Sequence, residues 1–302
     1  MSEPADTVEE IVDTVARTAP EIRAGLPSRR EKREDENPSG ERQLAADVYA
    51  DDLLKERLLA IGGVASYASE ERDGVSEAEA IEVGNADDNA VSGGGDVEVH
   101  VGVDPLDGSS NLKPNNTMGT ILGVYGSPMP TSGQDLLASA YVLYGPITTM
   151  VVARERDVTE YLLGEERYET LRENVRLPDD PLVYGFGGRV PDWPADFTEY
   201  VRSVESNPDL KLRYGGAMIG DVNQVMTYGG VFAYPGLESA PEGKLRLQFE
   251  GNPIAHIVET AGGRSSNGER SLLDVEPTAL HQRVPVHVGN AELIDRLEGA
   301  LP

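Results

Sequence analysis

Residues 97–111 constrain this chain more than any other stretch. They read Val97-Glu98-Val99-His100-Val101-Gly102-Val103-Asp104-Pro105-Leu106-Asp107-Gly108-Ser109-Ser110-Asn111. Valine at every second position has the period of a strand with one buried face. The run ends on an acid, a proline, a second acid and a glycine, so two carboxylates stand at a strand end where nothing apolar covers them. Strand ends are where α/β proteins build their sites. Asp104 and Asp107, with the Leu106 carbonyl between them, bring hard oxygen donors together, a set suited to Mg²⁺ or Mn²⁺. Gly108, Ser109 and Ser110 then offer backbone N–H groups and hydroxyls at what reads as a helix start, where an anion is favoured. Carboxylates for a metal beside amides for a phosphate imply metal-assisted phosphoryl chemistry. One Asp-Pro or Asp-Gly pair alone would mean no more than a turn closed by an Asx hydrogen bond.

The 302 residues suffice for a substantial core, as one large domain or two of average size. Against 26 Lys and Arg stand 53 Asp and Glu, a net charge of −27 that repels nucleic acid and anionic membrane and excludes them as partners. Apolar periodicity persists from end to end, which argues against an acidic disordered chain. The remaining reading is adaptation to high salt, where an acidic surface is screened and stays hydrated. Lysine is confined to Lys32, Lys55, Lys113, Lys211 and Lys244 while arginine is common. Without cysteine, neither a disulfide nor a thiolate metal site can form. An acidic N-terminus lacking an apolar run, and no stretch as long as a membrane span, predict a soluble, cytoplasmic protein.

Along the chain, Val8, Ile11, Val12 and Val15 fall at helical spacing, and the helix is expected to continue past Pro20 through Ile22 and Leu26. The mixed-charge run 29–37 reads as a solvated loop. A second helix carries Leu44, Val48, Leu54 and Leu58; Asp47, at the margin of its apolar face, is expected to be solvated on pattern alone. Residues 64–69 read as a strand ending on Glu70-Glu71, and 73–96 as an acidic, glycine-rich loop. Further strands are expected at 117–125, 136–144, 147–153 and 161–163. Breakers at 178–181 suggest a boundary between residues 1–178, carrying the metal ligands, and 179–302, completing the substrate site. In the second half strands are expected at 182–186, 212–214, 231–234, 244–249 and 284–288. Helices are expected at 196–204, 218–228, 253–261 and after Asn290. The fold class is α/β, two sheet layers among helices.

Acids end apolar elements at Glu70-Glu71, at Asp104 with Asp107, and at Glu250, which follows the alternating Lys244-Leu245-Arg246-Leu247-Gln248-Phe249. Divalent ions bridged by such acids polarise a phosphoryl oxygen, activate water and neutralise a leaving alkoxide, as phosphomonoester hydrolysis needs. Lys244 and Arg246, on one side of their strand, can hold an anionic substrate or simply solubilise a sheet edge.

The string Asp104-Pro105-Leu106-Asp107-Gly108-Ser109-Ser110-Asn111 resembles the metal-binding signature of the class I fructose-1,6-bisphosphatases. The resemblance extends through Asn37-Pro38-Ser39-Gly40-Glu41 to Asp47, Ser69-Glu70-Glu71, Met118-Gly119-Thr120-Ile121, the stretches 213–222, 228–235 and 244–253, and Asp274 to Thr278 with His281-Gln282-Arg283. It implies a layered αβαβα sugar-phosphatase fold and a Mg²⁺-dependent phosphatase, with two or more metals per subunit, Mn²⁺ being an alternative. Its implied substrate is a sugar bisphosphate, and its assembly a homotetramer. Carried over by position, it makes Glu70, Asp104, the Leu106 carbonyl, Asp107 and Glu250 metal ligands. Glu71 and Asp47 would orient and deprotonate water, with Glu41 nearby. Gly108, Ser109, Ser110 and Arg246 would hold the departing phosphate, and Met218, Asp107 and Lys244 the sugar. Tyr214 and Tyr234 would bind the distal phosphate, joined by Arg213 from a neighbouring subunit. Taken alone, Tyr214, Tyr228 and Tyr234 read as core aromatics, and His256 as a satisfied core histidine.

Three departures limit the transfer. The Gly-Thr-Gly-Glu segment that binds AMP in eukaryotic members is missing, and Glu98-Val99 and Gly126 stand where nucleotide contacts would be, so AMP inhibition by that route is not expected. Phe186, Gly187 and Arg189 replace distal-phosphate residues. Glu41 is an aspartate in many relatives. Sedoheptulose 1,7-bisphosphate, an inositol-monophosphatase-type substrate, and a non-catalytic cation-binding module remain alternatives.

Overall fold

The computed structural model describes residues 4–36, 38, 42–78, 98–165 and 167–301. Among the described residues, two main sheets and six α-helices form five layers, helices alternating with sheets. Helices α1 (Pro4–Gly25) and α2 (Ala45–Leu59) form one outer layer, with a small hairpin of β1 (Lys32–Glu36) and β2 (Arg42–Leu44) between them in the chain. The large sheet holds β3 (Val64–Ser69), β4 (Ser76–Glu77), β5 (Val99–Asp107), β6 (Met118–Tyr125), β7 (Leu136–Tyr144), β8 (Thr148–Arg154), β9 (Asp157–Leu163) and β10 (Tyr168–Arg172). Their order is β10-β9-β8-β7-β6-β5-β3-β4, antiparallel throughout except that β3 and β5 run parallel. From the second half come β11 (Val183–Phe186), α3 (Ala195–Glu205), β12 (Lys211–Leu212), α4 (Met218–Tyr228), β13 (Gly230–Tyr234), β14 (Leu245–Arg246), α5 (Asn252–Thr260), β15 (Arg264–Ser266), β16 (Arg283–Val284), β17 (Val286–Gly289) and α6 (Ala291–Glu298). The smaller sheet has the order β12-β11-β13-β17-β15, while β14 pairs with β16 alone.

Apolar faces explain the layering. Helix α1 buries Val8, Ile11, Val12, Val15, Ala19 and Ile22, and runs through Pro20 because packing on the large sheet outweighs one lost backbone bond. Helices α4 and α5 are apolar enough to lie between the two sheets, contacting β6 and β7 on one side and β17 on the other. Helices α3 and α6 close the far face of the smaller sheet with Phe197, Tyr200, Leu293 and Leu297.

Four expectations need correction. Residues 32–36 form a strand, since a hairpin ladder asks only for backbone partners, which a charge pattern does not reveal. Asp47 is 4 % exposed rather than solvated, because helix α2 presents its acidic margin to the end of β3. The run 244–249 pairs only at Leu245 and Arg246, then coils into a buried π-turn over Leu247–Gly251 that leads into α5. The run 284–288 is divided by Pro285 between β16 and β17, which belong to different sheets. Of the acidic loop at 73–96, β4 occupies Ser76–Glu77 and residues 79–97 lie outside the described residues, as does Glu41.

Candidate active site

Because β3 and β5 are parallel neighbours, their carboxyl ends open at the same place, and Glu70 N–H is held by Val103 O at 3.0 Å. Strand β5 slips register against β6 between Asp104 and Asp107. Thr120 Oγ1 donates to Pro105 O at 2.8 Å, and Leu106 N–H to Asp104 Oδ1 at 3.0 Å, so the bulge is fixed and both acids face one cavity. Asp107 Oδ2 accepts the Ile219 N–H at 2.7 Å, which ties this strand end to the first turn of α4. Gly108 stands at φ +72°, and a Cβ there would lie 2.2 Å from Ala217 Cβ. Only glycine permits that close approach of the Gly108–Ser110 turn to α4. The helix start expected after it is a single 3₁₀ turn, Ser109–Leu112.

Glu250 reaches the same point from the π-turn, folding back so that Arg246 N–H donates to its Oε2 at 2.5 Å. One oxygen from each of Glu70, Asp104 and Glu250 lies within 4.8 Å of the others. All three are carboxylates, the donor chemistry that a hard divalent cation takes. Burial, with mutual repulsion among Glu70, Asp104, Asp107 and Glu250, pushes Asp104 and Glu250 well above the usual carboxylate range. Burial raises Asp107 to about 7 even against its bond from Ile219. Four carboxylates so densely packed, with the Arg246 cation against them, fit a site for divalent metal.

The cavity, ≈ 210 Å³, is lined by Asp47, Glu70, Glu71, Asp104, Leu106, Asp107 and Glu250 on the metal side. Gly108, Ser109, Ser110 and Lys244 line it next to them, and Tyr214, Met218 and Tyr234 lie toward the second half of the chain. Burial, then the charges of Asp47 and Glu70, raises Glu71 to about 8. Asp47 itself closes the N-terminus of α2, where Leu44 N–H donates to its Oδ2 at 2.7 Å. Tyr214 is 47 % exposed and so is no core aromatic; burial of its hydroxyl and the nearby Tyr234 push it up to about 12. Gly187 is where the ring of Tyr234 rests, 2.1 Å from the position of a Cβ. Phe186 belongs instead to the aromatic cluster with Trp193, Phe197 and Tyr200.

Two predicted residues do not line the cavity. Arg246 is 3 % exposed with its Nη2 3.1 Å from Glu70 Oε1, beneath the carboxylates. Arg213 is exposed, its guanidinium bonding the carbonyl of Leu212 at 3.4 Å. Others were missed. Gln43 Nε2 donates to Glu71 Oε2 at 2.5 Å, and Asp51 receives the Tyr67 hydroxyl at 2.8 Å and Arg72 at 2.6 Å, bracing the turn after β3 against α2. Asp51 lies four residues after Asp47 on one helical face, the one signal that pointed to it. His256 bonds Ser139 Oγ at 3.0 Å through Nδ1, and His281 bonds Arg72 O at 2.8 Å; both are away from the cavity lining.

Comparison with known proteins agrees with this geometry. The model for the fructose-1-6-bisphosphatase N-terminal domain matches residues 22–170, and that for the C-terminal domain matches 177–301. A fructose-1,6-bisphosphatase class 1 from Natronomonas pharaonis is 60 % identical over 299 residues, covering 99 % of this chain and 100 % of its own. One from Halobacterium salinarum is 57 % identical over 298 residues, covering 99 % and 98 %. Among solved structures, the Leishmania major fructose-1,6-bisphosphatase in holo form superposes with a TM-score of 0.87 at 27 % identity, over 99 % of this chain and 95 % of that one. Full-length identity at this level, with family models that match nearly the whole chain and a fold of the same kind, shows that the chain belongs to the class 1 fructose-1,6-bisphosphatase family.

Proposed function

We propose that the chain is a Mg²⁺-dependent phosphatase that hydrolyses the 1-phosphate of fructose 1,6-bisphosphate to fructose 6-phosphate and inorganic phosphate, in gluconeogenesis in the cytoplasm. One observation carries this reading: carboxylates from three separate segments, Glu70, Asp104 and Glu250, come within 4.8 Å of one another beside the Gly108–Ser110 turn.

Glu70, Asp104, Asp107, Glu250 and the Leu106 carbonyl would hold two or more Mg²⁺, or Mn²⁺, which supply Lewis acidity toward the phosphoryl group. Asp47 and Glu71 then face the attacking water, with Glu41 as a third acid. Burial and the charges of Asp47 and Glu70 raise Glu71 in the metal-free chain, and cations bound beside it would draw it back down toward the range of a base that accepts a proton near neutral pH. Amides and hydroxyls of Gly108, Ser109 and Ser110 orient the departing phosphate. Arg246 offsets the charge of Glu70 and reaches the phosphate from below as that charge is shared. Met218, Asp107 and Lys244 hold the sugar, while Tyr214 and Tyr234 take the distal phosphate. Arg213, turned outward in the single chain, serves the distal phosphate of a neighbouring subunit in a homotetramer. In this scheme residues 1–178 carry most of the metal and phosphate groups, and residues 179–302 add Glu250 and Arg246 to them and the remainder of the substrate site.

Phosphate release from fructose 1,6-bisphosphate, sedoheptulose 1,7-bisphosphate and inositol monophosphate, each with Mg²⁺ and with EDTA, tests the assignment. Mg²⁺-dependent turnover highest on the fructose ester supports it. Turnover of none of them refutes it in favour of a cation-binding module, and sedimentation as a monomer refutes the role given to Arg213.

A further inference from the structure

Among the described residues, Asp51 and Asp221 are buried acids that do not line the cavity, and Asp51 is already paired with Arg72. Asp221 is 2 % exposed and stands in the first turn of α4 among buried Ile219, Val222 and Val225. Burial pushes it up to about 7, against the pull of the Gly215 and Gly216 amides. An apolar side chain would fill this position without the cost of desolvating a carboxylate, so the acid has its reason in what it holds.

That partner is the loop entering α4. Asp221 Oδ1 accepts the Gly215 N–H at 2.7 Å. From the opposite side, Asn111 Nδ2 donates to Gly215 O at 3.0 Å and to Thr117 O at 2.9 Å. One residue is thus gripped through both its backbone polar groups, by the helix on one hand and by the end of the metal-binding motif on the other. Gly216 completes the turn at φ +79°, a left-handed conformation that glycine takes without strain. Tyr214 directly precedes the gripped residue and faces the cavity. Lys211 and Leu212 pair with β11 and Arg213 N–H donates to Tyr184 O at 2.8 Å, whereas residues 214–216 beyond the sheet are solvent-exposed.

We propose that Asp221 is a positioning residue, which holds the Tyr214–Gly216 loop in register with the metal-binding motif and thereby sets affinity for the phosphate remote from the reacting one. This rests on the reading of Tyr214 as a distal-phosphate ligand. A charge-assisted bond between a buried carboxylate and a loop amide is lost in Asp221→Ala, and the loop then spends less of its time in the binding geometry. Asp221→Asn keeps an acceptor oxygen for Gly215 N–H.

The experiment compares fructose 1,6-bisphosphate with fructose 1-phosphate, which lacks the distal group, and reads the ratio of their kcat/KM values. Wild type should favour the bisphosphate, and Tyr214→Leu should lower the ratio. Asp221→Ala should lower it about tenfold, chiefly through the KM of the bisphosphate, and Asp221→Asn should restore it to within about threefold. No preference in wild type, or none lost in Tyr214→Leu, overturns the distal-phosphate reading. A Tyr214-dependent preference left intact by Asp221→Ala overturns the proposal for Asp221 alone, as does an equal loss in Asp221→Asn. Should Asp221→Ala fail to fold, Asn111→Ala frees the same residue from its other side. It must then raise the bisphosphate KM in the same way, and an unchanged KM overturns the proposal.

Discussion

Asp107→Asn should make the cation-free protein more stable at pH 7 while removing its stabilisation by Mg²⁺. Burial raises the Asp107 carboxyl from 3.8 to about 7 in the folded chain. A folded-state value above the unfolded one means that the group's contribution to stability is fully present below pH 3.8 and is lost as pH rises through 7. Each pH unit across that window costs about 1.4 kcal/mol, so by neutral pH the loss is of the order of 4 kcal/mol. Asparagine keeps an oxygen for the Ile219 N–H, which Asp107 now accepts at 2.7 Å, and has no charge to desolvate. At roughly 2 °C per kcal/mol for a chain of this size, the variant should melt several degrees higher in EDTA. Mg²⁺ at a hundred times its Kd should add about 2.7 kcal/mol to the wild type, and much less to the variant. Calorimetry at pH 7 in molar KCl, with EDTA or graded Mg²⁺, should therefore show the gap between the two melting curves narrowing as Mg²⁺ is added, from about 4 kcal/mol toward about 1 kcal/mol. A variant less stable than wild type in EDTA, or one that gains as much from Mg²⁺, refutes the electrostatic account of the site.

Other consequences are checked more briefly. Arg213→Ala should raise KM for the bisphosphate more than it lowers kcat, because a remote group contributes to binding rather than to the reacting bonds; a fall in kcat alone contradicts its placement. With a net charge of −27, melting temperature and activity should rise between low salt and molar KCl, and indifference to salt counts against halophilic adaptation. AMP at micromolar concentration should not inhibit, and a saturating inhibition curve would show a nucleotide site that the sequence does not contain. Burial holds His287 at about 3 and His256 at about 4, so both are neutral in the folded chain. The unfolded chain protonates them below about pH 6.5, so stability is full above that pH and falls as acid is added, by up to about 1.4 kcal/mol per unit for each. His287→Gln should flatten the slope of stability between pH 4.5 and 6 by about that much, and equal slopes for variant and wild type contradict it.

Much of the molecule is readable without coordinates because its signals are local. Alternating valines ending in Asp104-Pro105-Leu106-Asp107 define a strand and what lies at its end, and α4 begins and ends at Met218 and Tyr228 as its apolar period predicts. The candidate ligands are also local in this sense: each acid follows a recognisable apolar run. What pattern reading gets wrong are cases where a distant partner decides. Asp47 reads as solvated because nothing near it in sequence reveals that the end of β3 will cover it. Residues 247–251 alternate like a strand, yet the Glu250 carboxylate folding onto the Arg246 amide makes a π-turn.

The division has a physical cause. Amino-acid order alone determined most of the elements, the acidity of the surface, the choice of oxygen donors and, through motifs, the family. Only the tertiary structure decided that β3 and β5 lie parallel, so that Glu70 meets Asp104, and that the π-turn before α5 brings Glu250 to both. It likewise decided that Arg246 lies beneath the carboxylates and that Asp221 and Asn111 grip one glycine between them. Periodicity records which face of an element avoids water, whereas the distance between two charges depends on how those faces stack.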